Sequence, residues 1–122
     1  MRAIIDSDVL IDYLQGLAKA KTELDRYLKR EISIVSWMEI MAGADNAAEE
    51  KDCRDFLASF TVHHLSVEIA GEAVRLRKRF KVRLPDAIVW ATARVNNCLL
   101  VTRNTKDFPG NEPGVRVPYP MK

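Results

Sequence analysis

Apolar positions along the chain alternate between short continuous runs and helical spacing, and that alternation sets the expected order of elements. Residues 2–5 form a compact apolar run, read as a strand. Residues 7–14 then place Val9, Leu10, Tyr13 and Leu14 on one helical face. A second helix after Gly16 carries Leu17, Ala20, Leu24, Tyr27 and Leu28, and residues 31–35 read as a second strand. Residues 36–42 open the next helix, with Gly43 as its break. Cys53, Phe56, Leu57 and Phe60 keep helical spacing within residues 47–60, and residues 61–65 read as a third strand. A long amphipathic helix starts at Ser66, with Ile69, Ala73, Leu76 and Phe80 on one stripe and Arg75, Lys78 and Arg79 roughly opposite. Residues 85–97 are apolar almost all round, which marks a core helix, and Ala87 and Ala91 leave room for close approach of another element. Residues 99–102 and 115–117 are the last strands, flanking a Gly- and Pro-bearing loop over residues 105–114.

Short apolar strands alternating with helices predict an α/β fold: a three-layer α/β/α arrangement around a central, mostly parallel sheet, with residues 1–122 as one domain. The composition, 48% hydrophobic and 30% charged, is that of a globular chain rather than a disordered or fibrous one. There is no run of about 18 apolar residues to cross a membrane and no signal-peptide pattern at Met1, so a cytoplasmic location is expected. Cys53 and Cys98 sit in apolar periodic segments without CxxC spacing, which favours a reduced, buried pair over a disulfide or zinc site. A net charge of +2 is too small to identify a polyanionic partner by itself, so the placement of charge matters more than its total.

Parallel sheets of this kind bind ligands at the carboxyl ends of their strands, where strand order reverses. Asp6 follows the first strand, Glu39 lies shortly after the second, Asp86 opens the core helix, and Asn104 and Asp107 follow the fourth strand. Carboxylates gathered at one edge suit a hard divalent cation such as Mg²⁺ or Mn²⁺. Each also has a plainer explanation. Asp6 can cap a helix, Ser36-Trp37-Met38-Glu39 matches a capping box, and Asp86 beside Pro85 matches an ordinary helix start. What favours a site is their common edge, together with a charge at the start of an otherwise apolar helix.

These residues carry a resemblance. Ile4-Ile5-Asp6-Ser7-Asp8-Val9-Leu10-Ile11-Asp12 resembles the opening of PIN domains, and Ser36-Trp37-Met38-Glu39-Ile40 their second acidic motif. Leu84-Pro85-Asp86-Ala87-Ile88 resembles the third, and Val101-Thr102-Arg103-Asn104-Thr105-Lys106-Asp107-Phe108 the fourth. Their order and spacing are similar to those of the VapC ribonuclease toxins from end to end. The resemblance implies a Mg²⁺-dependent endoribonuclease, with Mn²⁺ as a substitute, acting as the toxin of a toxin–antitoxin pair. It implies catalytic roles for Asp6, Glu39, Asp86 and Asp107, and a metal site drawn from these four and Asn104. Many relatives have an acid at the position of Asn104, and often Asn at that of Asp8, so Asp8 and Asp12 are given supporting places. The implied partners are RNA, a VapB-like antitoxin and a second copy of the chain.

Arg75, Arg77, Lys78, Arg79, Lys81 and Arg83 form the densest basic run and end just before Pro85-Asp86. Arg75, Lys78, Arg79 and Arg83, with Arg103 beside Asn104, are therefore candidate RNA contacts, the alternative being a solvated helix face. Trp37 and Trp90 fall in apolar helices and are assigned to the core rather than to base stacking. His63 and His64 are adjacent in a strand and must point to opposite faces, which argues against a paired-histidine acid–base mechanism. Three other classes stay open: a non-catalytic PIN-like binding module, for which Asn104 speaks; a phosphoacceptor receiver-like domain using Asp6 or Asp8; and a dinucleotide fold, disfavoured because no GxGxxG follows the first strand. The helices around residues 17–28 and 53–60 could give apolar partner surfaces or simply pack inward.

Overall fold

The structure is a computed structural model that describes residues 1–109 and 111–120. Eleven elements follow in order: β1 (Ala3–Ile5), α1 (Ser7–Leu14), α2 (Ala18–Leu24), β2 (Glu31–Ser33), α3 (Ile34–Ala42), α4 (Ala47–Leu57), β3 (Thr61–His63), α5 (Val67–Phe80), α6 (Leu84–Val95), β4 (Leu99–Val101) and β5 (Val115–Arg116). The five strands form one sheet in the order β3-β2-β1-β4-β5, and every pairing is parallel, so the expected parallel core is complete. β1 is central. The chain builds outward from it through β2 and β3, then returns to its other side with β4, so strand order reverses between β1 and β4.

Pleating divides the core into two layers, because successive side chains point to opposite faces of the sheet. Ile4, Leu100 and Val115 pack with α5 and α6, around Trp90, Leu76 and Phe108. Ala3, Ile5, Ile32 and Val101 pack on the other face with Val9 and Leu10 of α1, Leu24 of α2 and Leu57 of α4. Trp90 is 1% exposed, tilted against Phe80 and edge-on to Phe108, while Trp37 packs partly buried on the opposite cluster; neither is presented as a stacking platform. Ala87 and Ala91 are fully buried, as expected of a helix that another element approaches closely. Both cysteines are free thiols, Cys98 buried and Cys53 half-buried.

Several boundaries differ from the sequence expectation. The apolar run over residues 31–35 is not one strand, because Ser33 ends β2 and caps α3, its hydroxyl accepting from the Val35 N–H at 3.1 Å. Ser36 is therefore inside the helix, fully buried, and the capping-box explanation of Ser36 and Glu39 does not hold. α2 ends at Leu24, so Leu28 leaves the apolar stripe and is wholly exposed, whereas Ala20, Leu24 and Tyr27 pack inward. On α4, Leu57 is buried and Phe56 joins a ring cluster with Tyr13 and Phe60, so that face also serves the core. Gly110, within the expected loop over residues 105–114, lies outside the described residues.

Candidate acidic active site

The reversal point puts the ends of β1 and β4 side by side: the register pairs Ile5 with Val101, and the Asp6 N–H continues the ladder to the Val101 carbonyl at 2.8 Å. Asp6 is thus the extended residue directly after β1 and the N-cap of α1, its Oδ1 accepting from Ser7 N at 2.8 Å. Capping and site-building are the same act here, since the cap geometry aims the carboxylate along the sheet's carboxyl edge. Opposite it, fully buried Thr102 donates its hydroxyl to Asp6 Oδ2 at 2.8 Å and lies 3.2 Å from Asp8 Oδ2. One hydroxyl proton therefore faces two carboxylates. The backbone N–H of Asn104 donates back to Thr102 Oγ1 at 3.1 Å and fixes its direction.

Glu39 projects from α3 and accepts from Ser7 Oγ at 3.0 Å, so Ser7 joins it to Asp6 through one residue. Asp86 stands in the first turn of α6 and accepts from Arg83 Nε at 3.2 Å. The same guanidinium reaches Asp107 Oδ2 at 3.8 Å. Asp107 Oδ2 also accepts from Asn104 Nδ2 at 2.7 Å, while Asn104 Oδ1 accepts the backbone N–H groups of Lys106 and Asp107, each at 3.2 Å. Both acceptor positions of the Asn104 carbonyl are thus engaged within its own loop. Its role here is to shape the turn that carries Asp107.

The electrostatics show what this edge lacks. Burial pushes the Asp6 carboxyl up to about 8, with the nearby Asp8 charge adding to it, Thr102 and the Ser7 N–H opposing, and Asp86 contributing a smaller push upward. Burial also raises Asp8 and Asp86; for Asp86 the Arg83 charge opposes and Asp107 reinforces the shift. Asp8 Oδ1 is buried with no hydrogen-bond partner among the described residues. Three carboxyls held above their ordinary range beside an orphaned buried oxygen form an edge with excess negative potential and hard oxygen donors, which fits a divalent cation. Among the described residues, no group of three or more acidic, histidine or cysteine side chains stands close enough together to hold a metal ion as arranged.

The basic candidates separate sharply. Arg103 is not turned outward: Nε and Nη2 both donate to Asp12, which is 9% exposed and also accepts from Tyr119 OH at 2.8 Å. Arg83 is engaged with Asp86 and Asp107, and Arg75 with Glu72 at 2.9 Å. Lys78 and Arg79 are exposed and in no ion pair among the described residues, Arg79 lying 5.0 Å over the Phe80 ring. His63 is half-buried and bonded to Glu31 at 2.8 Å while His64 is exposed, the divergence expected of neighbours in a strand. Sequence reasoning missed Thr102 and Ser7. The available signal for Thr102 was a hydroxyl residue at the end of a buried strand beside the one that carries Asp6.

A five-stranded parallel α/β sheet with its acids gathered at the reversal point is the class defined so far. Residues 3–109 match the sequence model of the PIN domain, and the chain belongs to that family. It is 34% identical over 114 residues to Ribonuclease VapC10 of Mycobacterium tuberculosis, covering 87% of this chain and 85% of that one. Among solved structures, a toxin–antitoxin complex from Klebsiella pneumoniae superposes with a TM-score of 0.90 at 42% identity, covering 98% of this chain and 99% of that one. FitAB bound to a DNA fragment shares the fold, with a TM-score of 0.83 at 17% identity over 98% and 97% of the two chains.

Proposed function

We propose that this chain is a metal-dependent endoribonuclease acting as the toxin of a toxin–antitoxin pair. The observation that carries the reading is the Asp6–Asp8–Asp86 edge, whose carboxyls are raised chiefly by burial, Asp6 further by the Asp8 and Asp86 charges, and which holds the unpartnered buried Oδ1 of Asp8. Its support from relatives is the ribonuclease at 34% identity and the toxin–antitoxin complex at 42% identity. Asp6 and Asp86 would hold Mg²⁺, or Mn²⁺ in its place, and Glu39 would approach from the Ser7 side. The bound cation supplies Lewis acidity and offsets the charge of a phosphodiester brought to it. Thr102 keeps the Asp6 carboxylate oriented, and Glu39, exposed and bonded to the Ser7 hydroxyl, would accept a proton from an attacking water. Attack by water leaves 5′-phosphate and 3′-hydroxyl ends.

Lys78 and Arg79, at the end of α5, are the cations best placed to draw in an RNA backbone, because the tight Lys81–Arg83 connection brings that helix end next to the start of α6. A cognate antitoxin and a homodimer complete the proposal. The test is incubation of a mixed RNA pool with purified protein in Mg²⁺ and in EDTA, beside Asp6→Asn and Asp86→Asn. Cation-dependent cutting that leaves 5′-phosphates and disappears in both variants is the expected result. A folded, antitoxin-free protein inert in Mg²⁺ and Mn²⁺ would return the chain to the class of non-catalytic binding modules.

A further inference from the structure

The Asp12–Arg103–Tyr119 cluster is the most heavily organised polar group that the proposed chemistry does not use. It joins residues 91 and 107 positions apart: Arg103 and Tyr119 both donate to Asp12 Oδ2, on the buried side of α1. Asp12 is 9% exposed and Tyr119 7%, and a charge this enclosed is tolerated only because its partners satisfy it. Arg103 directly follows Thr102, the residue whose hydroxyl meets Asp6. From the other side, the Thr102 N–H is tied to the Arg116 carbonyl at 3.1 Å.

We propose that Arg103, clamped by the Asp12 carboxylate that Tyr119 also bonds, is a positioning residue that fixes the backbone at the end of β4 so that the Thr102 hydroxyl stays on Asp6. The proposal rests on the metal-dependent ribonuclease reading above. A threonine hydroxyl can rotate between staggered positions, and only one of them places its proton on the Asp6 oxygen. Anchors on both sides of Thr102, with the Asn104 N–H on Oγ1, remove that freedom. A guanidinium fork is needed because it bonds the carboxylate through two nitrogens in one plane, which a lysine ammonium cannot reproduce.

The experiment compares wild type, Arg103→Lys and Tyr119→Phe in three measurements: Mn²⁺ affinity of the metal-stripped protein by calorimetry, kcat and KM on a cleaved RNA, and thermal unfolding. Loss of the fork is expected to weaken Mn²⁺ binding and lower kcat by about tenfold, with KM within about twofold. Tyr119→Phe, which removes one hydroxyl and leaves the Arg103–Asp12 pair, should shift both in the same direction by a few-fold, and it decides the matter if Arg103→Lys does not fold. Folded variants with wild-type Mn²⁺ affinity and kcat would reduce the cluster to a purely structural role. A raised KM with unchanged kcat and a shallower salt dependence would make Arg103 an RNA contact; either result overturns the proposal alone. A wild-type protein that neither binds Mn²⁺ nor cuts RNA would overturn the ribonuclease reading and this proposal together.

Discussion

Replacing Asp6 with Asn should remove activity and yet make the metal-free protein more stable. Asp6 is 5% exposed, and burial together with the Asp8 charge raises its carboxyl from 3.8 to about 8. A carboxyl raised on folding contributes stability that is fully present below the unfolded value and lost as pH rises through the folded one. The ionised form is the one the fold penalises, so the cost of keeping Asp6 grows from about pH 4 to about pH 8. At about 1.4 kcal/mol for each unit of separation, the ceiling at neutral pH is about 4 kcal/mol, and local relaxation brings the expected gain nearer 2 kcal/mol. The amide fits the same contacts: its oxygen can take the Ser7 N–H, and its NH₂ can donate to Thr102 Oγ1, freeing the hydroxyl proton for Asp8 Oδ2. For a chain of this length, about 2 kcal/mol corresponds to a rise in Tm of about 8 °C. The assay is thermal unfolding after EDTA dialysis at about pH 5 and about pH 8, where the variant's advantage should be small and then large. Saturating Mg²⁺ should reverse the order, since about a hundredfold excess over Kd stabilises the wild type by about 2.7 kcal/mol and the variant by less. A variant that loses equal stability at both pH values would refute the assignment of an uncompensated buried charge at Asp6.

Asp107→Asn should lower cleavage by at least tenfold less than Asp86→Asn does, because Asp107 is already hydrogen-bonded to Asn104 and faced by Arg83; equal losses in kcat would restore it to the metal-holding set. Lys78→Gln with Arg79→Gln should raise KM for RNA and reduce the slope of log affinity against log salt by about 2, with kcat and Tm little changed, and an unaltered slope would remove α5 from the RNA path. Arg2→Ala should lower stability in urea unfolding, because Glu31 is fully buried and among the described side chains would retain only His63 at 2.8 Å. Glu31 is held below its ordinary range chiefly by Arg2, so this stability is present above about pH 4.5 and is lost as pH falls through the folded value. The variant's deficit should therefore narrow in acid, and a constant deficit would show that packing, not charge pairing, was removed.

Period and punctuation carried much of the fold. Helix α1 lies over the expected residues because Asp6 marks its start and its apolar positions repeat cleanly, and α6 was legible as a core helix because no face of it is polar. The junction of β2 and α3 was not legible. Ile32, Ile34 and Val35 read as one β-branched run, and only the tertiary position of Ser33, whose hydroxyl takes the Val35 N–H, ends the strand early. That shift changes the reason for Glu39's position: it lies over Ser7 because α3 starts at Ile34, not because Ser36 caps the helix.

The acids of the site could be read from their places after strands, but their electrical roles could not, because a linear motif names charges without showing which opposite charge each one meets. Arg103 stands beside Asn104 in sequence and looks available to a phosphate, yet it is committed to an aspartate 91 positions away. Arg83 is likewise committed to Asp86 and Asp107. With these cations assigned, the edge is asymmetric: Asp107 meets an amide and a guanidinium, whereas among the described residues Asp6 is bonded only by a hydroxyl and a backbone N–H, both neutral. Burial lifts the Asp6 carboxyl most and the Asp8 charge adds to it, and the two neutral donors offset this less than a cation would. On the metal-dependent reading proposed above, the cation would therefore be needed most at the end of β1, with Thr102 at the end of β4 bonded to Asp6 there.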